Sequence, residues 1–173
     1  MIDNITRFLN NVRDGSVREA LRSILNPIAD RFSTQPISTF GLVIKAGGSA
    51  LVKTGAAAAY AMVQGKLVKV SAATDQAALS GTVTNAKFNV YAYFLDGAGT
   101  GTSAMGVEGA TLAAVQFPPI PQGKACIGFT IINPTGTGNF VGGTTPIDDA
   151  TVVPNAVHIS LLGPVDPTVL IGY

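Results

Sequence analysis

Residues Lys87–Leu95 read KFNVYAYFL, and the fold class turns on them. Phe88, Val90, Tyr91, Tyr93 and Phe94 are aromatic or β-branched, the side chains that fit a pleated surface, and the run is too short for an independent helix. It is the strongest strand signal in the chain. Working outward, similar short runs occur at Ile37–Lys45, Ala50–Lys53, Ala57–Val63, Lys66–Val70, Ala110–Phe117, Lys124–Ile132 and Ala156–Leu162. Clusters of Gly, Pro, Asn and Asp separate them. This rhythm predicts a mainly β fold, with an antiparallel β-sandwich or jelly-roll-like body of about eight strands. Two stretches, Asp96–Glu108 and Asn133–Asn155, read as long loops, which in a compact domain are usually functional or disordered.

The charge pattern changes near residue 35. Arg7, Arg13, Arg18, Arg22 and Arg31 with Asp3, Asp14, Glu19 and Asp30 put nine charges in the first 35 residues. The 138 residues that follow carry twelve, with no Arg, and they hold 19 of the 20 Gly. Residues 1–35 are therefore expected to form a helical arm and residues 36–173 a β-rich body. Ser16 and Glu19 fit a capping box. After them Val17, Leu21, Ile24, Leu25 and Ile28 recur at helical spacing, and Pro27 is expected to end or kink the helix near Asn26. A shorter helix is expected before Gly15, with Ile5, Phe8, Leu9 and Val12 on one side. Helices this short are marginal alone, so the arm must dock on something.

Composition removes several function classes. The chain has 173 residues, 47% hydrophobic and 12% charged, against a usual charged share of about 25%. That is too apolar for disorder. One Cys cannot make an internal disulfide. A net charge of +1 provides no general attraction for nucleic acid or anionic lipid, and the arm's five Arg are matched by four acids, with Arg18, Arg22 and Glu19 reading as a solvated face. The mean hydropathy of +0.38 raises the question of a membrane span. The longest candidate, Gly55–Val63, is stopped by Gln64, Gly65 and Lys66, well short of the ~20 residues needed. The first 32 residues contain no apolar core of a signal peptide.

Motifs that would carry chemistry are thin. Gly99, Gly101 and Ala104 match a dinucleotide fingerprint, but no strand–helix–strand unit surrounds them. One His (His158) and one Cys (Cys126) cannot assemble a zinc set. Asp148 and Asp149 form a carboxylate pair without the spaced acids of a calcium loop. His158 lies in an alternating strand and reads as structural. Cys126 reads as a small buried hydrophobe. No nucleophile elbow occurs. The expectation is no enzyme, no cofactor, no metal, and no nucleic-acid or membrane partner. What remains is an Ala/Gly/Thr/Val-rich body with little charge, whose surfaces are cheap to desolvate.

Residues Asn133–Val157 (NPTGTGNFVGGTTPIDDATVVPNAV), with the preceding Gly123–Ile131 (GKACIGFTI), resemble the C-terminal region of small tailed-bacteriophage virion proteins: capsid decoration, cement or head-fibre proteins. The likeness extends over residues 85–160. It implies a β-rich, dimeric or trimeric protein on the outside of an icosahedral capsid that binds neighbouring major capsid proteins and stabilises the shell. Such a protein is made in the host cytoplasm and resides in the virion. Expected contacts with capsid or subunits fall on the arm (Ile5, Phe8, Leu9, Val12, Arg18, Leu21, Arg22, Leu25) or on the long loop (Asn139, Phe140, Asp148, Asp149). The alternative is a head-fibre or tail-fibre receptor-binding or glycan-binding module, although the absence of Trp leaves few rings to stack on sugars.

Overall fold

A computed structural model describes residues 14–164. One helix, α1 (Gly15–Ser33), precedes a series of short strands: β1 (Gln35–Pro36), β2 (Val43–Ile44), β3 (Val52–Lys53), β4 (Ala59–Val63), β5 (Lys66–Val70), β6 (Thr82–Val83), β7 (Asn89–Leu95), β8 (Gly101–Met105), β9 (Ala125–Ile132), β10 (Phe140–Val141) and β11 (Val157–Ser160). The protein is mainly β. Its sheets are antiparallel, in the orders β11-β9-β7-β8, β1-β4-β5, β10-β6 and β2-β3.

The four-stranded sheet is the centre of the molecule. Every residue of β7 is buried, and alternation sends its side chains to two separate cores. Tyr91, Tyr93 and Leu95 enter one core with Ala59, Ala61, Val63, Val68 and Val70 of β4 and β5 and Phe140 of β10. Val90, Ala92 and Phe94 enter the other, which the 112–120 segment and Leu161 cover. On the first side, the β1-β4-β5 sheet packs against β9, and the Phe140 ring meets Tyr91 edge-on, 5.9 Å between centroids. On the second, Phe117 meets Phe129 edge-on at 5.5 Å. Such aromatic pairs favour T-shaped geometry because the positive ring edge faces the negative ring face.

A bulge in β9 switches which residues face which core. Tyr93 pairs with Gly128 but the next residue, Phe94, pairs with Cys126, so Ile127 is the extra residue. Ala125 and Ile127 face the first core, and past the bulge Phe129 faces the second. The carbonyl of Ile127 accepts from Leu161 N–H at 3.1 Å.

Several elements differ from the sequence reading. The Ile37–Lys45 run yields only β2, because the chain turns at Gly41 (φ 55°). Ala110–Phe117 is not a strand. It contains a 3-10 turn at Leu112–Ala114 and one isolated bridge, Val107 to Gln116. Conversely, the expected loop Asp96–Glu108 contains β8, and Asn133–Asn155 contains β10. Asp96 makes the β7–β8 hairpin possible: its Oδ1 accepts from Ala98 and Thr100 N–H, each at 2.9 Å.

Two corrections concern the helix. The cap is Asp14, not Ser16: its Oδ1 accepts from Ser16 N–H at 2.9 Å, Val17 N–H at 3.3 Å and the Ser16 hydroxyl at 2.7 Å. These bonds hold the Asp14 carboxyl below its usual pKa, the Ser16 hydroxyl contributing most. The helix also runs through Pro27 to Ser33. Pro27 lacks the N–H that would donate to Ser23's carbonyl, but Ser23 is exposed, so the unmet carbonyl is not a buried one. Downstream of the proline, Ala29 docks on the body and is the helix's one buried residue. The last turn is then fastened to the β4–β5 hairpin: Gly65 N–H donates to Ser33 O at 2.9 Å and Gln64 N–H to Thr34 Oγ1 at 3.0 Å.

Candidate interaction surface

α1 is held at one end and bare along one side. At 3.6 residues per turn, Ile24, Val17, Ile28, Leu21, Phe32 and Leu25 fall within an arc of about 100°. Leu25 and Leu21 are half-buried on the flank nearest Ala29. The rest are open: Val17 is 47%, Ile24 58%, Ile28 47% and Phe32 52% exposed. Glu19, Arg22 and Asn26 lie on the opposite face, all exposed. The helix therefore has an apolar face and a solvated face, and the described residues cover little of the apolar one.

The residues expected to make contacts are distributed unevenly. Ile5, Phe8, Leu9 and Val12 lie outside the described residues. Arg18 is half-buried and Arg22 exposed. Leu21 and Leu25 are less open than Val17, Ile24, Ile28 and Phe32, which share their face. Phe32 lies beyond Pro27, where the sequence predicts an end or a kink; the same spacing continued past the proline reaches it.

The long 133–155 segment is tied down. Phe140 is fully buried in the first core. Asn139 Oδ1 accepts from Asn85 N–H at 2.9 Å. The Asp148 carboxylate accepts from Gly48 N–H, 3.0 Å from Oδ2. Asp149 Oδ1 accepts from Thr151 N–H at 2.8 Å and Val152 N–H at 3.2 Å. Ile147 and Val153 are buried beside Phe140 in the same core. The pair Asp148 and Asp149 thus caps two different turns, and the segment behaves as a packed flap.

A polar chain runs from the surface into the first core. Tyr93 Oη and Thr130 Oγ1 lie 3.1 Å apart, and Thr130 Oγ1 is 2.8 Å from His158 Nδ1. Thr130 is completely buried, so although its hydroxyl abuts an imidazole, no substrate reaches it. Burial lowers the His158 pKa below 6.5. Beside it, His158, Asp148 and apolar side chains of the flap line a shallow cleft of about 330 Å³. Burial also pushes the Cys126 thiol up to about 12, which keeps it a neutral, unreactive thiol at the floor of a second cleft of about 370 Å³, between the last turns of α1 and residues 120–124.

The His158 chain has a measurable consequence. The unfolded chain takes up a proton near pH 6.5, while folded His158 resists it. Its stabilising contribution is full above about pH 6.5 and is lost as pH falls below that value through the folded pKa. Urea midpoints should fall between pH 7.5 and 5.5, and His158→Gln should flatten that slope. A wild-type midpoint constant over this range would contradict the assignment. The lowered carboxylates Asp14, Asp96 and Glu108 add their own loss only in more acidic solution.

No family model, curated protein or solved structure matches this chain. Among the described residues no three His, Cys, Asp or Glu side chains converge as a metal site, and no helix is long and apolar enough to cross a membrane. Among the described residues the apolar face of α1 is the extended apolar surface, beside the clefts at His158 and Cys126 and an open one along residues 15–27 of the helix.

Proposed function

We propose that the protein is a structural component of a multi-subunit particle, and specifically a decoration or cement protein on the outer surface of a bacteriophage capsid. One observation carries the structural half of this reading: the apolar face of α1, which the described residues leave uncovered, on an element whose last turn is fastened to the body. Burying it is worth roughly 25 cal/mol per Å² of apolar surface, which a partner can supply and the protein's own described residues do not. The viral half rests on the resemblance over residues 85–160. The β1-β4-β5 sheet stacked on one face of the central sheet supports reading the body as sandwich-like.

In this reading the mechanism is mechanical. Packaged DNA presses outward on a shell, and a protein bridging neighbouring capsid proteins adds interface area that must be lost before the shell parts. Attachment at many lattice points strengthens each contact through effective concentration. The partners are the major capsid protein and other copies of this chain.

The test is co-sedimentation of purified protein with tailed-phage heads stripped of their decoration proteins. Full-length chain is expected to bind saturably. A variant lacking residues 1–32 should keep the β-sheet circular dichroism of the body, since only Ala29 is buried from α1, and should not bind. Absence of binding by the full chain, or full occupancy by the shortened one, would overturn the reading.

A further inference from the structure

The apolar face of α1 has a finer pattern. Asp14, Val17, Leu21, Ile24, Ile28 and Arg31 follow one another in steps of three, four, three, four and three. That is the spacing of a coiled-coil seam: Asp14, Leu21 and Ile28 occupy one of its two positions and Val17, Ile24 and Arg31 the other. Four apolar residues fill the middle, and opposite charges stand at the two ends. Asp14 and Arg31 are both exposed. Ala29, the residue docked on the body, is about 100° round the helix from Ile28; along the seam Val17, Ile24 and Ile28 are open, Leu21 is half-buried and Arg31 borders the cleft between α1 and residues 120–124.

We propose that α1 is a dimerisation element, and that two copies of this chain pair their α1 helices antiparallel along this seam. In that arrangement Val17 of one copy packs against Ile28 of the other, and Leu21 against Ile24, in four layers. Asp14 of each copy then faces Arg31 of the other at both ends. Charge decides the direction. A parallel pair or trimer would stack Asp14 on Asp14 and Arg31 on Arg31, placing like charges together at each end of the seam. The antiparallel pair also opposes the two helix dipoles. Asp14 can take part because its cap bonds use only Oδ1. Arg31 has interactions within the chain, and the pairing does not require them to be absent, since a guanidinium carries five donors.

The 19-residue helix is about 28 Å long. One helix face of that length falls below the roughly 800 Å² per partner of a standard stable interface. The dimer is therefore expected to dissociate in the micromolar range and to be reinforced where copies are held on a common surface. The inference builds on the arm's role proposed above but does not depend on a capsid.

Sedimentation equilibrium of the full chain, without heads, tests it. The mass should rise with concentration from 17.6 kDa towards twice that value and no further. Ile24→Glu, at an exposed position that leaves the fold intact, should weaken association by more than about 100-fold, since each dimer loses two seam residues. Direction is read by cysteine trapping. A mixture of Val17→Cys and Ile28→Cys proteins should form the mixed disulfide, and Val17→Cys alone should form none; native Cys126 is buried and stays silent. A concentration-independent monomer, a trimer, an unaffected Ile24→Glu dimer or rapid Val17→Cys homodisulfides would each overturn the proposal. Dimers that fail to bind heads would overturn the capsid reading alone; a chain that binds heads yet stays monomeric at every concentration would overturn the pairing alone.

Discussion

Gly128→Ala is expected to destabilise the protein by about 3 kcal/mol or more, lowering the melting midpoint by roughly 6–12 °C for a chain of this size. Gly128 sits at the β7–β9 bulge, where β11 crosses close. A Cβ there would run into the carbonyl oxygen of Ile159, lie 2.5 Å from Leu42 Cδ1 and 3.1 Å from Ser160 Cα. Leu42 has a flexible tip, but the other two atoms are backbone. They can retreat only if β11 parts from β9, and Ser160 is further held by the Leu42 N–H to Ser160 Oγ bond of 2.8 Å. Gly15→Ala is the contrasting substitution. Nothing lies within 4 Å of its Cβ position and it sits in the helix's first turn, so the exchange should be neutral or stabilising by up to ~1 kcal/mol. Thermal melts of the two variants check both expectations; a Gly128→Ala protein melting within 2 °C of wild type would mean β11 does not approach the bulge as described.

The bulge also marks how much of this fold a reader of the sequence can recover. Lys66–Val70 was legible because its Val68 and Val70 alternate with Lys69; a two-residue turn at Gln64-Gly65, with φ of 52° and 79°, joins it to β4. Residues Asn89–Leu95 were legible from aromatic density. The helix was legible in type but not in extent. Pro27 is a strong local stop signal, and what overrides it is distant: the docking of Ala29 and the bonds from Gln64 and Gly65. Strand β8 was hidden for a different reason. Thr102, Ser103 and Ala104 carry no hydrophobic signal, and the strand exists because β7 offers it an edge and Asp96 closes the turn. The opposite error at Ala110–Phe117 arose because Leu112, Val115 and Phe117 are apolar at nearly strand-like spacing, yet they cover the face of the central sheet instead of joining it. As for the surface, the stripe on α1 is visible in the sequence; that its face is left open and its flank docked is not.

The 133–155 segment provides the sharpest separation between a contact residue and a core residue. Phe140→Ala is expected to cost about 3–5 kcal/mol, the range for removing a fully buried aromatic ring, and to lower the melting midpoint by roughly 6–20 °C. The ring is completely shielded from water, meets Tyr91 edge-on and packs in the core that Ile147 and Val153 also enter. Its strand pairs through Phe140 with Val83 and Val141 with Thr82, a short ladder that the ring backs. Removing the ring should loosen the flap as a unit and expose backbone amides of residues 137–153 to faster hydrogen exchange, since local opening follows lost burial. Association through α1 should survive, at temperatures where the body is folded, because the two regions share no side chains. A Phe140→Ala protein that melts normally yet fails to assemble would reverse this assignment and make the flap, in place of the helix, the surface through which the protein works.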